Sequence, residues 1–264
     1  MDNEPYIRLA CFIVIFAGVA FWECVSPRRP QQISRWVRWP SNIGISLINA
    51  VLVRVISPSA LIGIALVAEH QDWGVFHQLA IPPWLDILFA IALLDLAVYF
   101  QHRIFHKVPI LWRLHRMHHA DLEFDVTTGF RFHPIEILLS LAFKIFIVVL
   151  LGAPALAVLI FEVLLNATSM FNHGNVKIPV RFETLLRWIL VTPDMHRVHH
   201  SKVTDEFNSN FGFNIPWWDR LLGTYRAQPD EGHDGMTIGL ELFRARKDLR
   251  LDRMLAQPFL SNSG

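Results

Sequence analysis

Three short histidine clusters are the part of this sequence most suited to chemistry. The first box has the spacing i, i+4, and the second and third boxes both have the pattern HxxHH. On a helix these spacings place imidazoles on one face, about 5–6 Å apart at Cβ, where one metal ion can accept two of them. Eight such ligands exceed the four of a tetrahedral zinc ion and therefore imply two metal ions. The boxes are His102 and His106; His115, His118 and His119; and His196, His199 and His200.

Ligand type alone does not identify the metal, because imidazole suits zinc, copper, iron and nickel. A nitrogen-rich dinuclear site beside a lipid compartment suits O₂ activation against an unreactive C–H bond. A hydrolytic zinc site needs only three protein ligands and an open position, and the sequence contains no HExxH motif. We therefore predict two iron ions, with zinc as a substitute, and O₂. The alternatives are a histidine-ligated zinc membrane hydrolase, a metal transporter and a metal-binding, non-catalytic membrane protein.

The composition indicates that the boxes belong to a membrane protein. Hydrophobic residues make up 53% of the 264 residues and charged residues 18%, which is too apolar for a typical soluble domain. The net charge of +1 argues against a nucleic-acid partner. Two cysteines provide neither an iron–sulfur cluster nor a disulfide framework. We predict an all-α integral membrane fold with about four or five transmembrane helices.

The apolar stretches between the boxes predict the topology. The loop Pro27–Pro40 carries four arginines and no acid, so the positive-inside rule places it in the cytoplasm. The following loop, Glu69–Pro83, is acidic and suits the outer side, together with His70 and His77. All three boxes then lie in a cytoplasmic helical cap. The predicted spans are Leu9–Trp22, Ile43–Val67, Trp84–Phe100 and a short hairpin within Ile135–Phe171 that turns at Gly152–Pro154.

The predicted domain organisation follows the same pattern. Residues 1–83 form the N-terminal transmembrane helices, residues 84–243 a catalytic domain and residues 244–264 a C-terminal tail whose last residues, from 261, are frayed. We expect the first apolar run to be a retained helix and not a signal peptide, because the residues before it include Asp2 and Glu4 instead of a basic n-region, and no A-x-A cleavage pattern follows it.

The boxes and several segments around them resemble the fatty acid hydroxylase / sterol desaturase superfamily over about Leu85–Phe243. The resemblance implies four or so membrane helices, a cytosolic metal cap and O₂-dependent hydroxylation or desaturation of a lipid. It also implies that all eight box histidines bind metal, and it adds His173 as a ninth ligand. The segments that carry it are HRIFH, LHRMHH, MHRVHH, Asp95–His102, Arg131–Pro134, Phe171–Gly174 and Asn214–Tyr225.

Four further residues are candidates for supporting roles. Metal-bound histidines usually donate their second N–H group to a carboxylate or a carbonyl. Asp95 shares a helix face with the first box inside an apolar span, where an acid is a functional candidate. Asp194 precedes the third box by two residues, and Asp219 either orients a ligand or pairs with the next arginine. His133, before a proline, is a candidate for binding metal or for orienting a ligand or substrate.

The sequence predicts that electrons come from a second protein. It contains neither a GxGxxG nucleotide-binding motif nor a cysteine cluster, so we expect a cytochrome b5-like protein or a ferredoxin as donor. Basic residues of the cap provide a candidate docking surface for it. We expect a lipid substrate from the bilayer and a bacterial inner membrane or ER-type membrane as location. The basic residues are Arg103, Lys107, Arg113 and Arg116.

Overall fold

A computed structural model of the chain describes residues 4–57 and 60–261. Its regular structure is helical throughout, with no β-strand in these two ranges, which confirms the all-α prediction. The helices are α1 (Glu4–Val25), α2 (Arg35–Ile56), α3 (Ala60–His70), α4 (Pro83–Lys107), α5 (Pro109–His119), α6 (Pro134–Leu151), α7 (Ala155–Asn172), α8 (Val180–Leu186), α9 (Pro193–His199), α10 (Thr204–Phe207), α11 (Trp217–Leu221), α12 (Gly232–Gly235) and α13 (Leu251–Ala256), with 3-10 turns at Phe76–Gln78, Thr128–Phe130, Arg246–Leu249 and Gln257–Phe259.

Five helical stretches of the described chain are long and apolar enough to cross a bilayer. Their number agrees with the four or five spans predicted from the sequence. Four of them coincide with α1, α4, α6 and α7, and the remaining one combines α2 and α3. The stretches are Pro5–Val25, Arg35–His70, Pro83–Lys107, Pro134–Leu151 and Ala155–Asn172.

The second span begins earlier than the sequence pattern indicated. The side chain of Ser34 caps α2 by accepting a hydrogen bond from the backbone N–H of Trp36 at 3.3 Å. The helix therefore starts at Arg35 and includes part of the arginine-rich segment that we predicted as a loop. Residues 58 and 59 of the predicted span, and residues 262–264 of the predicted frayed terminus, lie outside the described residues.

The hairpin between α6 and α7 turns where the sequence predicted it. Gly152 adopts φ +67° after the last turn of α6, and its N–H bonds to the carbonyl of Val148 at 2.9 Å. A Cβ at this position would lie 2.3 Å from the carbonyl oxygen of Trp73 and 2.7 Å from a ring carbon of His77. Because α7 has 18 residues, this turn lies about 27 Å along the helix from His173.

Replacing Gly152 by alanine should destabilise the protein by at least about 1–3 kcal/mol, because the left-handed backbone and the contact with Trp73 both oppose a Cβ. The thermal midpoint of unfolding in detergent measures this effect. The matched control is Gly18→Ala in α1, where no atom beyond the local helix backbone lies within 4 Å of the new Cβ. Equal midpoints for the two variants would contradict the described turn.

Apolar packing holds the ends of the helices in register around the histidine boxes. Residues of α3, α4, α6 and α7 form the main buried cluster, with Leu94 and Phe161 almost fully buried within it. The C-terminal helix α13 also joins the packing, since Met254 contacts Ile45 of α2 and Met117 of α5. The box-bearing parts of α4 and α5 thus lie beside the first turn of α6 and the last turn of α7.

Candidate metal centre

The structure gathers all nine predicted metal ligands into two adjacent groups. Within each group the potential ligand atoms lie within 4.8 Å of one another, and every histidine except His106 is buried. We call them the five-histidine group and the four-histidine group. The first consists of His102, His106, His115, His119 and His199, and the second of His118, His173, His196 and His200.

Each HxxHH box contributes to both groups. In the second box, on α5, His118 belongs to the four-histidine group and its two partners to the five-histidine group. In the third box, on α9, His199 belongs to the five-histidine group and its two partners to the four-histidine group. In each group, the first and last histidines of one box thus lie with the middle histidine of the other box. This crossed arrangement keeps the two groups next to each other.

The Nε2 atoms of neighbouring histidines converge within each group. They are separated by 3.1 Å between His102 and His115, by 3.0 Å between His102 and His199, and by 3.2 Å between His118 and His173. Two nitrogen ligands bound at about 2.1 Å and at right angles to each other are roughly 3 Å apart. The spacing therefore matches that of nitrogens that share one metal ion.

Four of the histidines have the tautomer that metal binding at Nε2 requires. In each case Nδ1–H donates to a carbonyl or a carboxylate, so the proton is assigned to Nδ1 from its partner. The Nε2 lone pair is then directed into the group. The donors and acceptors are His102 to the Phe211 carbonyl (2.8 Å), His199 to the Ser209 carbonyl (2.7 Å), His173 to the Ser169 carbonyl (2.7 Å) and His115 to Glu136 Oε1 (2.6 Å).

This tautomer pattern fits a cation. The Nε2 atoms of His102, His115 and His199 carry lone pairs that face one another and cannot form hydrogen bonds among themselves. Both ring nitrogens of His106 and His200 also lack a hydrogen-bond partner among the described residues. A buried polar group without a partner is costly, and a bound metal ion satisfies several of them at once. An all-imidazole donor set suits iron as well as zinc.

Burial keeps six histidines of the two groups in the form that binds metal. It lowers the pKa of His118, His119, His196 and His200 well below the ordinary histidine value, and the neighbouring histidines lower it further. For His199 burial lowers the pKa to about 3, and for His173 to about 4. Since metal ions bind the neutral imidazole, these side chains need not lose a proton at neutral pH.

Glu136 supports the site, and sequence reasoning missed it. It lies in the first turn of α6 with only 5% of its surface exposed, and one carboxylate oxygen accepts the Nδ1–H of His115. It is 21 residues from His115. No spacing rule connects it to a box, so the only available signal was an acid at the start of an apolar helix.

Glu136→Leu should weaken metal binding by about 10–100-fold, because His115 loses the acceptor that fixes its ring and its tautomer. Glu136→Gln retains an amide oxygen at the same place and should restore most of the affinity. Metal retention during dialysis against a chelator measures both variants without any need for substrate. Equal retention by the leucine variant and the parent protein would exclude this role.

Asp95 and Asp219 contact no box histidine and act through a common segment, residues 209–218. Asp95 accepts hydrogen bonds from the side chain of Asn214 at 2.8 Å and from the indole N–H of Trp218 at 2.8 Å. Asp219 accepts from the backbone N–H of Phe211 at 2.8 Å, and burial raises the pKa of Asp219 to about 6. The carbonyls of this segment that orient histidines belong to Ser209 and Phe211. Both acids therefore hold the segment in place and position the ligands indirectly.

The structure places Asp194 and His133 outside both histidine groups. Asp194 forms an ion pair with Arg197 and lies 3.3 Å from Arg28, so it ties α9 to the segment after α1. His133 caps α6, where its Nδ1 accepts from the N–H of Ile135 at 3.2 Å and its Nε2 donates to a carbonyl of the C-terminal segment. These contacts favour structural roles for both residues.

Comparison with known proteins identifies the family. The model of the fatty acid hydroxylase family matches residues 87–224, just over half of the chain. The chain belongs to the fatty acid hydroxylase family. The matched region contains all nine histidines and Glu136, and the assignment confirms the resemblance found in the motifs. No solved structure matches the chain.

Three relatives illustrate the fatty acid hydroxylase family. Ornithine lipid hydroxylase OlsE of Rhizobium tropici is 34% identical over 56% of this chain and 44% of its own length. Alkylglycerol monooxygenase of Xenopus tropicalis is 25% identical over 76% of this chain and 45% of its own length. Cholesterol 25-hydroxylase of Homo sapiens is 33% identical over 53% of this chain and 51% of its own length. The chain thus spans about half the length of these relatives.

A cavity of about 240 Å³ lies beside the five-histidine group, between residues of the fatty acid hydroxylase region and residues of α1 and α2. Its walls include His102, His115 and several phenylalanines, and it follows α6 from Glu136 to Lys144. A second cavity of about 730 Å³ lies between α1, α2 and α7. Both cavities are lined by Phe12 and Asn166, so they adjoin there. The larger cavity therefore neighbours the one that His102 and His115 line.

Part of the predicted basic docking surface is occupied by the chain itself. Arg116 is 2% exposed and donates to the carbonyl of Leu260 at 2.7 Å. Arg113 donates to the carbonyl of Pro258 at 2.7 Å. The prediction was wrong for Arg116, because the C-terminal segment of this fatty acid hydroxylase family member covers it. Lys107 is exposed.

Proposed function

We propose that the protein is a membrane-bound, non-haem di-iron oxidoreductase that uses O₂ to hydroxylate or desaturate a lipid C–H bond. The observation that carries the proposal is the convergence of two adjacent groups of histidines, one of which borders a mainly apolar cavity. The family and the reported relatives, which are named hydroxylases and a monooxygenase, favour oxidation over hydrolysis or transport.

The five-histidine group would hold one iron ion and the four-histidine group the other. When bound, the two ions supply the chemistry that activates O₂ and accepts electrons. The protein holds its ligands with Nδ1 hydrogen bonds to carbonyls and to Glu136, so the rings need little reorganisation. Phe132 stacks on His118 with ring centroids 4.4 Å apart and helps to keep water from that side of the group.

The cavity of about 240 Å³ beside the five-histidine group, called the inner cavity, would position the substrate with its remaining walls. A lipid chain would enter from the larger cavity, pass Phe12 and Asn166, and lie along the apolar residues of α4, α6 and α7. Because these helices are candidate membrane spans, the substrate would come directly from the bilayer. We further propose that the metal centre faces the cytoplasm of a bacterial inner membrane or ER-type membrane. A separate cytochrome b5-like protein or ferredoxin would deliver electrons there.

Incubation of the purified protein with a lipid extract, a reductant and ¹⁸O₂ tests the reaction. The proposal predicts a lipid product that either contains one ¹⁸O atom or lacks two hydrogen atoms, and no product under argon. A His102→Ala variant should form neither, whereas His70→Ala, at an exposed position outside both groups, should match the parent protein. Products that form equally under argon, or that arise by cleavage of an ester or amide, would refute the proposal.

A further inference from the structure

Helix α6 carries a lysine in the middle of a candidate membrane span. Only two of its 18 residues are ionisable, Glu136 in the first turn and Lys144 eight positions later. Both line the inner cavity, together with Ser140 between them. Residues four and eight positions apart lie on the same side of a helix. An ionisable side chain inside a span is costly, so Lys144 is a candidate for a function in this cavity.

Lys144 lies on the cavity side of α6 and not on its outward side. The large apolar side chains that this helix exposes lie at least about 120° around its axis from Lys144. Within the part of the chain that the structure describes, the Lys144 ammonium forms no hydrogen bond and no ion pair, and it is not completely covered by protein. Its open side is therefore the cavity that it lines. The exposed apolar residues are Ile135, Leu139, Phe146 and Leu150.

The other charged groups of the two cavities leave a positive charge at the Lys144 end. Glu162 of α7 and Arg8 of α1 interact electrostatically with Lys144, but they form an ion pair with each other, so their charges offset. Arg54 adds a further positive charge to the larger cavity. Glu136 is about 12 Å away along α6, at the histidine end. An anion is therefore attracted to Lys144 and repelled by Glu136.

We infer that Lys144 binds an anionic group, a carboxylate or a phosphate, of the lipid substrate. Its ammonium offers N–H donors that have no acceptor in the described chain, and an anionic oxygen supplies one. The hydrocarbon chain would extend from there along the apolar walls toward His102 and His115, so the oxidised carbon lies on the chain and away from the anion. The identity of the ligand as substrate rests on the proposed function, whereas binding itself is independent of turnover.

Competitive binding of four probes with the same chain length tests this inference. The full-length protein is purified in nanodiscs of phosphatidylcholine, kept under argon to prevent turnover, and studied by native mass spectrometry. The probes are palmitate, hexadecyl phosphate, hexadecan-1-ol and hexadecylamine. We expect one of the two anions to bind at least about tenfold more tightly than the alcohol, and the tighter one identifies the anionic group. Equal binding of the alcohol and both anions, or tightest binding of the amine, would overturn the inference.

Variants of Lys144 locate the anion, because metal ions at the histidine end would also attract one. Lys144→Met removes the charge and should reduce the preference for the anion over the alcohol by about tenfold, whereas Lys144→Arg should retain it. Lys177→Met makes the same change at an exposed position outside the spans and should also retain it. An undiminished preference in Lys144→Met would overturn the inference. The comparison of probes on the parent protein does not depend on the folding of any variant.

The metal content of each sample separates this inference from the proposed function. If the protein lacks iron but prefers an anion through Lys144, the anion site stands and the di-iron proposal fails. If it contains iron and oxidises lipids but shows no preference that depends on Lys144, only the anion site is refuted.

Discussion

His118→Ala and His119→Ala should each reduce lipid oxidation by at least about a hundredfold, and they should do so by affecting different metal ions. The two histidines are neighbours on α5 and are equally buried, but His118 belongs to the four-histidine group and His119 to the five-histidine group. Removal of His118 leaves three ligands in its group, whereas removal of His119 leaves four. His118→Ala should therefore lose more iron.

Iron analysis and Mössbauer spectroscopy of the two variants, grown on iron-57, measure this difference. Each variant should lose intensity preferentially from one of two iron signals, and the signal affected should differ between the variants. The exposed His70→Ala variant controls for the loss of an imidazole elsewhere. Identical losses from both signals in both variants would show that the two groups do not hold separate ions.

Arg38→Ala should cause the largest loss of stability, about 3–5 kcal/mol of unfolding free energy. The guanidinium of Arg38 donates to both carboxylate oxygens of Asp121 at 2.7 Å and to Asp125 at 2.6 Å, and none of these side chains is exposed. Its removal leaves two buried carboxylates without their main counter-charge. Both acids lie in the segment 120–131, which continues from the second histidine box to α6.

The thermal midpoint of unfolding and the metal retained after chelation together measure the effect of Arg38→Ala. Burial alone would raise the pKa of Asp121, but Arg38 and Arg131 hold that pKa well below its usual range. The ionised Asp121 carboxylate therefore stabilises the fold at neutral pH. This stabilisation is lost only as the pH falls through this low pKa, so it should persist at pH 5. Arg250→Ala removes an exposed pair with Asp252 and should change nothing measurable. An equally small effect of Arg38→Ala would contradict the described network.

The sequence predicted the parts of the site that depend on local spacing. The histidine boxes, the span Trp84–Phe100 within α4 and the turn at Gly152 are each encoded within a short stretch of chain, and the structure contains each of them. His173 was found only through the resemblance, because a single histidine after an apolar run has no distinctive spacing. The division of each HxxHH box between two groups required the crossing of α5 and α9, which spacing does not encode.

The contacts that support the site depend on distant residues and could not be read from local patterns. Arg38 meets Asp121 across 83 positions of sequence, and Glu136 meets His115 across 21. Asp95 is a buried acid in a span, but its partner is the segment after Phe213 and not the nearby first box. The position of an acid close to a ligand in the sequence is thus a poor guide to what that ligand contacts. The fold determines which carbonyl or carboxylate accepts a hydrogen bond from each histidine.

The metal content of the purified protein tests directly whether the two histidine groups hold a di-iron centre. Iron-57-grown cells would supply protein for elemental analysis and Mössbauer spectroscopy, before and after anaerobic reconstitution. We expect about two iron ions per chain with the magnetic coupling of an adjacent pair. One zinc ion per chain and no iron, even after reconstitution, would contradict this expectation and favour a hydrolytic or structural role for the histidine groups.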